Sequence, residues 1–352
     1  MTTASPRTKI KCVVWDLDDT VWDGVLLESD SIPVLKLHVL ETIKAFDQRG
    51  ILQSISSKND FDTAMAALVS HGIDSYFLYP QMGWGAKSGS ITRISEKLNI
   101  NLDTFAFVDD QEFERDEVLS VHPMVRVYHP ESINTFVGND DFVPLYVTDD
   151  SKNRRSLYLR DIERSQALEQ FDGPEDSFLR TLDLSLTLKS ALESDLYRAE
   201  ELTIRTNQLN TTGITYSVDD LRDLIKSEKH QVIVAELTDK YGSYGAIGLV
   251  LISEELGSWC IDLFLMSCRV MSRGVGGVLL SVLRLACREK QLELKAKFKH
   301  NDRNRIMFVT YRFAGFEEQG DVMINNLSEI SPLPDHMQLT IDSSLGWIIP
   351  RD

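Results

Sequence analysis

Five residues near the N-terminus, Asp16-Leu17-Asp18-Asp19-Thr20, carry the clearest chemical signal in the 352-residue sequence. They follow an apolar run, Lys11 to Trp15, that reads as a strand. In an α/β sheet, ligands collect at the carboxyl ends of strands, so these acids stand where chemistry is expected. Two carboxylates two residues apart can point one side chain at a phosphorus and leave the other to move a proton. An aspartate is a competent nucleophile toward phosphoryl groups, because water can later hydrolyse the mixed anhydride it forms. The charge that develops calls for a cation and for hydrogen-bond donors around the transferring oxygens. Candidates stand at the ends of the next apolar runs: Ser57, Lys87 and the pair Asp109-Asp110. Hard carboxylate oxygens suit Mg²⁺. The plain alternative is an acidic loop capping helices through their dipoles.

A second group of residues lies in the other half of the chain. The run Trp259 to Met266 leads into Ser267-Cys268-Arg269-Val270-Met271-Ser272-Arg273-Gly274-Val275-Gly276-Gly277, which reads as strand, Gly-rich turn and helix. Such a turn aims backbone N–H groups at an anion, with the helix dipole behind them. Arg269, Arg273 and the helix N-terminus would favour a thiolate at Cys268. Two readings of Cys268 stay open, a nucleophile and a small buried residue. Cys12, Cys260 and Cys287 lie inside apolar strands or a helix and read as packing residues. His300 is a conceivable base for a thiol, although a lone histidine is more often a surface or hydrogen-bonding residue.

These residues need a scaffold, and the first half supplies an α/β pattern of short apolar strands alternating with helices, hence a parallel sheet. Strands are expected at Ile10–Trp15, Ile51–Ile55, Tyr76–Tyr79 and Thr104–Val108. Helices are expected at Leu35–Arg49, Phe61–Val69, Ser88–Leu98 and Glu112–Val121. The polar, Arg-rich stretch after Asp149 reads as a connector with at most one exposed helix. Leu182, Leu184, Leu186 and Leu188 then alternate with polar residues and open a second α/β domain. Helices near Glu193–Arg205, Val218–Lys226 and Val278–Lys290 follow, with strands at Gln231–Leu237, Gly245–Ile252 and Trp259–Met266. The stretch from Asn304 reads as a helix closing on a strand that enters at Gly315-Phe316. The expected division is 1–150, a connector 151–178, and 179–352.

Net charge is −17, which argues against a nucleic-acid partner. Four cysteines without CxxC spacing fit a reducing, cytoplasmic setting. The opening MTTASPRTK has no apolar core and reads as no signal peptide, and no apolar run approaches a membrane span.

The ordered set DxDxT, Ser57, Lys87 and Asp109-Asp110 resembles the haloacid dehalogenase superfamily. That resemblance implies Asp16 as nucleophile and metal ligand, and Asp18 as general acid/base with its carbonyl on the metal. Ser57 and Lys87, with Thr20, Lys58 and Asn59 from the same motifs, would hold phosphate. Asp110 would complete the Mg²⁺ site, with Asp109 orienting Lys87 or ligating the metal itself. The short intervals between motifs leave no room for a full cap domain. The second half resembles the Gcn5-related N-acyltransferase fold, whose Gly-rich turn holds a pyrophosphate and whose late tyrosine sits near the acyl sulfur. Here Gly274 and Gly276 match that turn, but its first position falls on Met271. Together, VVWDLDDTVWDGVLLE, ILQSISSKND, GWGAKSGSI, FAFVDDQEFERDEV, LTIRTNQLNTTG and LFLMSCRVMSRGVG resemble the FkbH-type proteins of polyketide biosynthesis. The resemblance implies a glyceryl transferase/phosphatase that takes the glyceryl unit of 1,3-bisphosphoglycerate, removes phosphate, and loads an acyl carrier protein thiol. Cys268 would carry the acyl group, with Arg269, Arg273, Gly274 and Gly276 binding substrate. Pro130, Glu131, Arg154, Arg155 and Arg160 could meet an acidic carrier, although such charges are more often a solvated helix face. Three other readings remain: a Mg²⁺ phosphatase with a non-catalytic partner-binding second domain, an acyl-CoA-dependent acyltransferase, and loading of lactyl instead of glyceryl.

Overall fold

Cys12-Val13-Val14-Trp15 has no polar side chain to turn outward, which suits a strand covered on both faces. In the computed structural model it forms β1 (Cys12–Trp15), wholly buried. The structure describes residues 8–348 except Asp30, Leu145 and Asn207; the opening MTTASPR, expected to be no signal peptide, lies outside them.

Strand β1 pairs in parallel with β2 (Leu52–Ser57) on one side and β4 (Phe105–Val108) on the other. Strands β3 (Gln81–Met82) and β5 (Arg126–Tyr128) complete a parallel sheet of order β3-β2-β1-β4-β5. Helices α1 (Leu37–Gln48), α2 (Phe61–Ser70), α3 (Lys87–Leu98) and α4 (Glu112–Val121) run between the strands. Asp60 caps α2 by accepting from Thr63 N at 3.0 Å, which stops the chain from continuing β2. The two-residue strands Trp22–Asp23 and Val34–Leu35 pair as a small hairpin after β1.

The strand expected at Tyr76–Tyr79 is not there. Asp74–Tyr76 is a 3₁₀ turn, and only Phe77 touches the sheet, opposite Gln53. Tyr79 has φ +50° and precedes Pro80, which breaks the extended run, so pairing resumes only at Gln81. Strand β5, three half-buried residues long, was not expected from the sequence.

The chain separates into two compact units, Met1–Leu159 and Arg160–Asp352. The connector is more structured than its composition suggests: it forms α5 (Arg154–Glu169) and α6 (Glu175–Arg180). Its arginines make contacts within the protein. Arg154 is buried and donates to the Gly50 carbonyl at 2.8 Å. Gly50 has φ +68°, and a β carbon there would lie 2.5 Å from the Ser151 carbonyl, so only glycine fits. Arg155 clamps Asp47, and Arg160 donates to the Ser243 carbonyl. Pro130 is buried, and Glu131 lies 3.7 Å from His129.

The second unit is one eight-stranded mixed sheet. It comprises β6 (Leu184–Ser190), β7 (His230–Asp239), β8 (Gly242–Glu255), β9 (Ser258–Met266), β10 (Glu293–Lys297), β11 (Phe316–Gln319), β12 (Val322–Asn325) and β13 (Met337–Ile341). The order is β11-β12-β10-β9-β8-β7-β6-β13, with β9/β10 and β6/β13 parallel. Helices α7 (Leu196–Arg205), α8 (Val218–Lys226), α9 (Val275–Lys290) and α10 (Arg305–Phe313) accompany it. Strands β9 and β10 pair only from Ser258 to Ile261. Beyond that point the chain's own Leu209–Thr211 lies along β9: Thr211 N donates to the Phe264 carbonyl at 3.1 Å and Met266 N to the Leu209 carbonyl at 2.9 Å. Among the described residues, no helix is long and apolar enough to cross a membrane.

A buried polar knot holds the α5 side of this unit. Arg164, 1% exposed, donates Nε and Nη2 to the two Asp239 oxygens at 2.7 and 2.8 Å. Its Nη1 reaches Asp161 at 2.8 Å, and its guanidinium stacks 3.8 Å over Tyr244. Burial works against the Asp239 charge, but Arg164 and Tyr244 outweigh it and hold the carboxyl below its ordinary range. Removing one partner strands the other charge in the interior, so Arg164→Ala should destabilise the protein by about 3–5 kcal/mol. Thermal unfolding at pH 7 measures this. Because the folded pKa of Asp239 is lowered, its contribution is present above the unfolded value, about 3.9, and is lost as pH falls below it.

Candidate active site

The buried carboxylate of Asp16 emerges where β1 ends, its backbone N–H held by the Val108 carbonyl at 2.9 Å. Lys87, the first residue of α3, buries its ammonium against it. Nζ lies 2.5 Å from Asp16 Oδ1, 3.1 Å from Asp109 Oδ2 and 2.7 Å from the Ser56 carbonyl. A lysine at a helix N-terminus opposes the helix dipole; here the two carboxylates over-compensate. Burial disfavours the Lys87 charge, yet Asp16 and Asp109 outweigh that and raise its pKa.

Oxygens of Asp16, Asp109 and Asp110 all lie within 4.8 Å of one another. Burial and the neighbouring Asp109 charge push Asp16 up to about 6 against the pull of Lys87. Burial likewise raises Asp109 and Asp110. Asp109 Oδ2, although ion-paired with Lys87, accepts no aligned hydrogen bond. Three crowded carboxylates, one ammonium and an under-satisfied buried oxygen fit a hard divalent cation.

Asp18 is turned toward a set of donors. Its Oδ1 accepts from Trp22 Nε1 at 2.8 Å and Leu26 N at 3.1 Å, and its Oδ2 from Asn59 Nδ2 at 3.0 Å. Asn59 also donates to Ser57 Oγ at 3.0 Å, and the Ser57 hydroxyl hydrogen-bonds Asp16. Thr20 is fully buried, and its hydroxyl has no partner among the described residues. Lys58 does not join the cluster; it pairs with the buried Glu114 at 2.5 Å. Trp22 as a clamp on Asp18 went unread in the sequence. A tryptophan four residues past an acid has no pattern that separates it from ordinary core.

In the second unit, Cys268 is half-buried and begins a 3₁₀ turn, Cys268–Arg273, two residues past the end of β9. The other three thiols are buried and pushed up, Cys260 to about 11 and Cys287 to about 12, with Cys12 higher still. Arg269 donates to the Tyr244 carbonyl at 2.7 Å. Arg273 is buried, and its Nε and Nη1 have no hydrogen-bond partner among the described residues. Gly274 takes φ +76° at the α9 N-cap, beside His336 Nε2. Gly276 is needed for packing: a β carbon there would sit 2.8 Å from Met266 Cε. His300 Nε2 lies 2.8 Å from Glu318 Oε1, and its ring packs against Phe298 and Phe308, so it is a hydrogen-bonded surface histidine. Tyr311 is wholly buried against Phe264 and Phe316.

Strand order and these clusters define an α/β protein whose first unit sets an acidic cluster at the ends of a five-stranded parallel sheet and whose second unit is built on an eight-stranded mixed sheet. No family model matches the sequence, and no curated protein matches it. Among solved structures, the phosphatase-domain part of a Bacteroides fragilis protein complexed with Mg is similar at 26% identity and TM-score 0.34, over 40% of this chain. The chain spans 41% of that protein's length. An aminoglycoside acetyltransferase bound to coenzyme A is similar at 17% identity and TM-score 0.31, over 40% of this chain and 94% of that one. The Escherichia coli ribosomal-protein-S18-alanine N-acetyltransferase is similar at 15% identity and TM-score 0.32, over 42% and 96%.

The raised Asp16 has a thermodynamic consequence. A carboxyl whose folded pKa exceeds its unfolded value favours folding below the unfolded pKa and loses that advantage as pH rises through the folded one. The melting temperature of chelator-treated protein should therefore fall between about pH 4 and pH 6, with added divalent cation restoring it at pH 7. Differential scanning fluorimetry across pH, with and without metal, reads both effects.

Proposed function

We propose that this chain transfers the glyceryl group of 1,3-bisphosphoglycerate to an acyl carrier protein thiol and removes both phosphates on the way. The observation that carries the reading is the buried Asp16, fixed by Lys87 and crowded by Asp109 and Asp110. This arrangement suits a phosphoryl-directed nucleophile better than a structural ion pair. An acyl phosphate is already activated, so the Cys268 thiolate can attack its carbonyl carbon without ATP. The C–O bond to phosphate breaks, inorganic phosphate leaves, and a 3-phosphoglyceryl thioester remains on the sulfur. Asp16 then attacks the remaining phosphorus, and Asp18 protonates the departing glyceryl oxygen. Asp18 next takes a proton from the water that hydrolyses the aspartyl phosphate. Ser57, Asn59 and Thr20 offer donors and Lys87 a charge for the phosphoryl oxygens. Asp16, Asp110 and Asp109, with the Asp18 carbonyl, would hold Mg²⁺, which neutralises charge on those oxygens when bound. Finally the carrier's phosphopantetheine thiol exchanges with Cys268 and carries the glyceryl group away. The product would feed polyketide extender or tetronate units, and the reducing cytoplasm suits a free catalytic thiol.

Intact-protein mass spectrometry after mixing with 1,3-bisphosphoglycerate tests the scheme. Wild type should carry a glyceryl adduct without phosphate, Asp16→Asn a phosphoglyceryl adduct, and Cys268→Ala no adduct. Full loading of a carrier by Cys268→Ala would remove the covalent step. Release of the second phosphate, from the phosphoglyceryl adduct, should drop about a thousandfold or more in Asp16→Asn. A phosphatase whose second unit only binds a partner is the second reading. It predicts p-nitrophenyl phosphate turnover and no adduct in any variant.

The Asp18 clamp makes a separate prediction. Trp22→Phe removes one charge-assisted donor while keeping the ring, and should lower kcat for p-nitrophenyl phosphate about tenfold with KM nearly unchanged. Steady-state kinetics at saturating Mg²⁺ measure the split.

A further inference from the structure

Helix α10 buries one side and leaves the other bare. Met307 and Tyr311 are wholly buried, whereas Ile306, Val309 and Phe313 are 43%, 40% and 89% exposed. Positions 306, 309 and 313 fall along one helical face, so these side chains form a stripe. Single exposed apolar residues need no explanation; an aligned set ending in a bare phenylalanine marks a contact surface.

Within the helix and its flanking turns, from 303 to 316, the charge has one sign. From Arg303 through Phe316 the sequence holds three arginines, Arg303, Arg305 and Arg312, and no acid, in a chain of net charge −17. All three are exposed. The nearest acids in sequence are Asp302 before the helix and Glu317-Glu318 after it, with Glu318 engaged by His300. Aromatic and arginine side chains together are the composition of a protein-binding patch.

The stripe also has a telling position. Thr310 Cγ2 lies 3.5 Å from where a β carbon on Gly276 would sit, so the middle of α10 abuts the first turn of α9. That turn directly follows the segment carrying Cys268, which itself exposes Met271 by 41%.

We propose that α10 is the docking face for an acidic acyl carrier protein. An apolar ridge of the carrier would cover Ile306, Val309 and Phe313, while its carboxylates meet Arg303, Arg305 and Arg312. This rests on the carrier-loading reading and adds to it the surface and the charge sign of the partner. The same face would bring the carrier's arm to the Cys268 turn.

The test is calorimetric titration of the full chain with a purified, acidic holo-acyl carrier protein. Wild type, Phe313→Glu and the double variant Arg305→Glu/Arg312→Glu are compared at low and moderate salt. Wild type should bind, more weakly as salt rises, and each variant should lose about tenfold or more in affinity. A carrier whose facing acids are changed to lysine should recover binding to the double variant. All three side chains are exposed, so melting temperatures should stay within about 2 °C of wild type. Equal binding by the variants, or no carrier binding by wild type, would overturn the proposal. So would a wild-type dimer in sedimentation that Phe313→Glu dissociates, which assigns the face to a second copy. Binding is read without turnover. A chain that binds carrier through α10 yet transfers no glyceryl group therefore refutes the function and leaves the docking face.

Discussion

The first unit depends on one buried ammonium. Lys87 Nζ touches Asp16 past the end of β1, the Ser56 carbonyl in β2 and Asp109 past the end of β4. A single side chain thus ties together the carboxyl ends of the three central strands and fixes the start of α3 over them. Its desolvation is tolerated only because two carboxylates face it. Those carboxylates, with Asp110 beside them, still exceed its charge. The excess negative charge that makes the site costly to fold is the same charge that makes it receptive to a cation.

Around this pair, the surrounding donors are aligned with little slack. Asn59 links Ser57 to Asp18, and Trp22 and the Leu26 N–H hold the other Asp18 oxygen. The small hairpin after β1 therefore serves as a brace for a carboxylate, although it is too short to cover a ligand. Such orientation limits the rearrangement needed when a ligand arrives.

Much of the first unit was legible because its signals are local. Strand ends coincide with Asp16, Ser57 and Asp109, and α4 runs over the residues that its composition indicates. The failures share a cause. Tyr76–Tyr79 has strand-like residues, but Tyr79 turns left-handed before Pro80, and composition does not encode that. The stretch holding Arg154 and Arg164 reads as at most one exposed helix, whereas these two side chains are buried on partners, Gly50 and Asp239, that are 104 and 75 residues away. Strands β10, β12 and β13 are four or five residues long, too short to register as alternation. Long-range pairing decides each of these.

The second unit's Leu209–Thr211 segment has a consequence for what that sheet can accept. Where β9 and β10 part, an open strand edge would offer main-chain donors and acceptors to any extended amide-bearing molecule. This chain supplies its own occupant, locked by Asn304, whose amide reaches the carbonyls of Asn210, Thr211 and Lys299. Because the occupant is covalently tethered, its effective concentration at the edge is on the order of millimolar or higher. A free ligand that relied on the same hydrogen bonds would face a competitor that never diffuses away. Selectivity at this edge is therefore set by chain connectivity before any side chain is consulted.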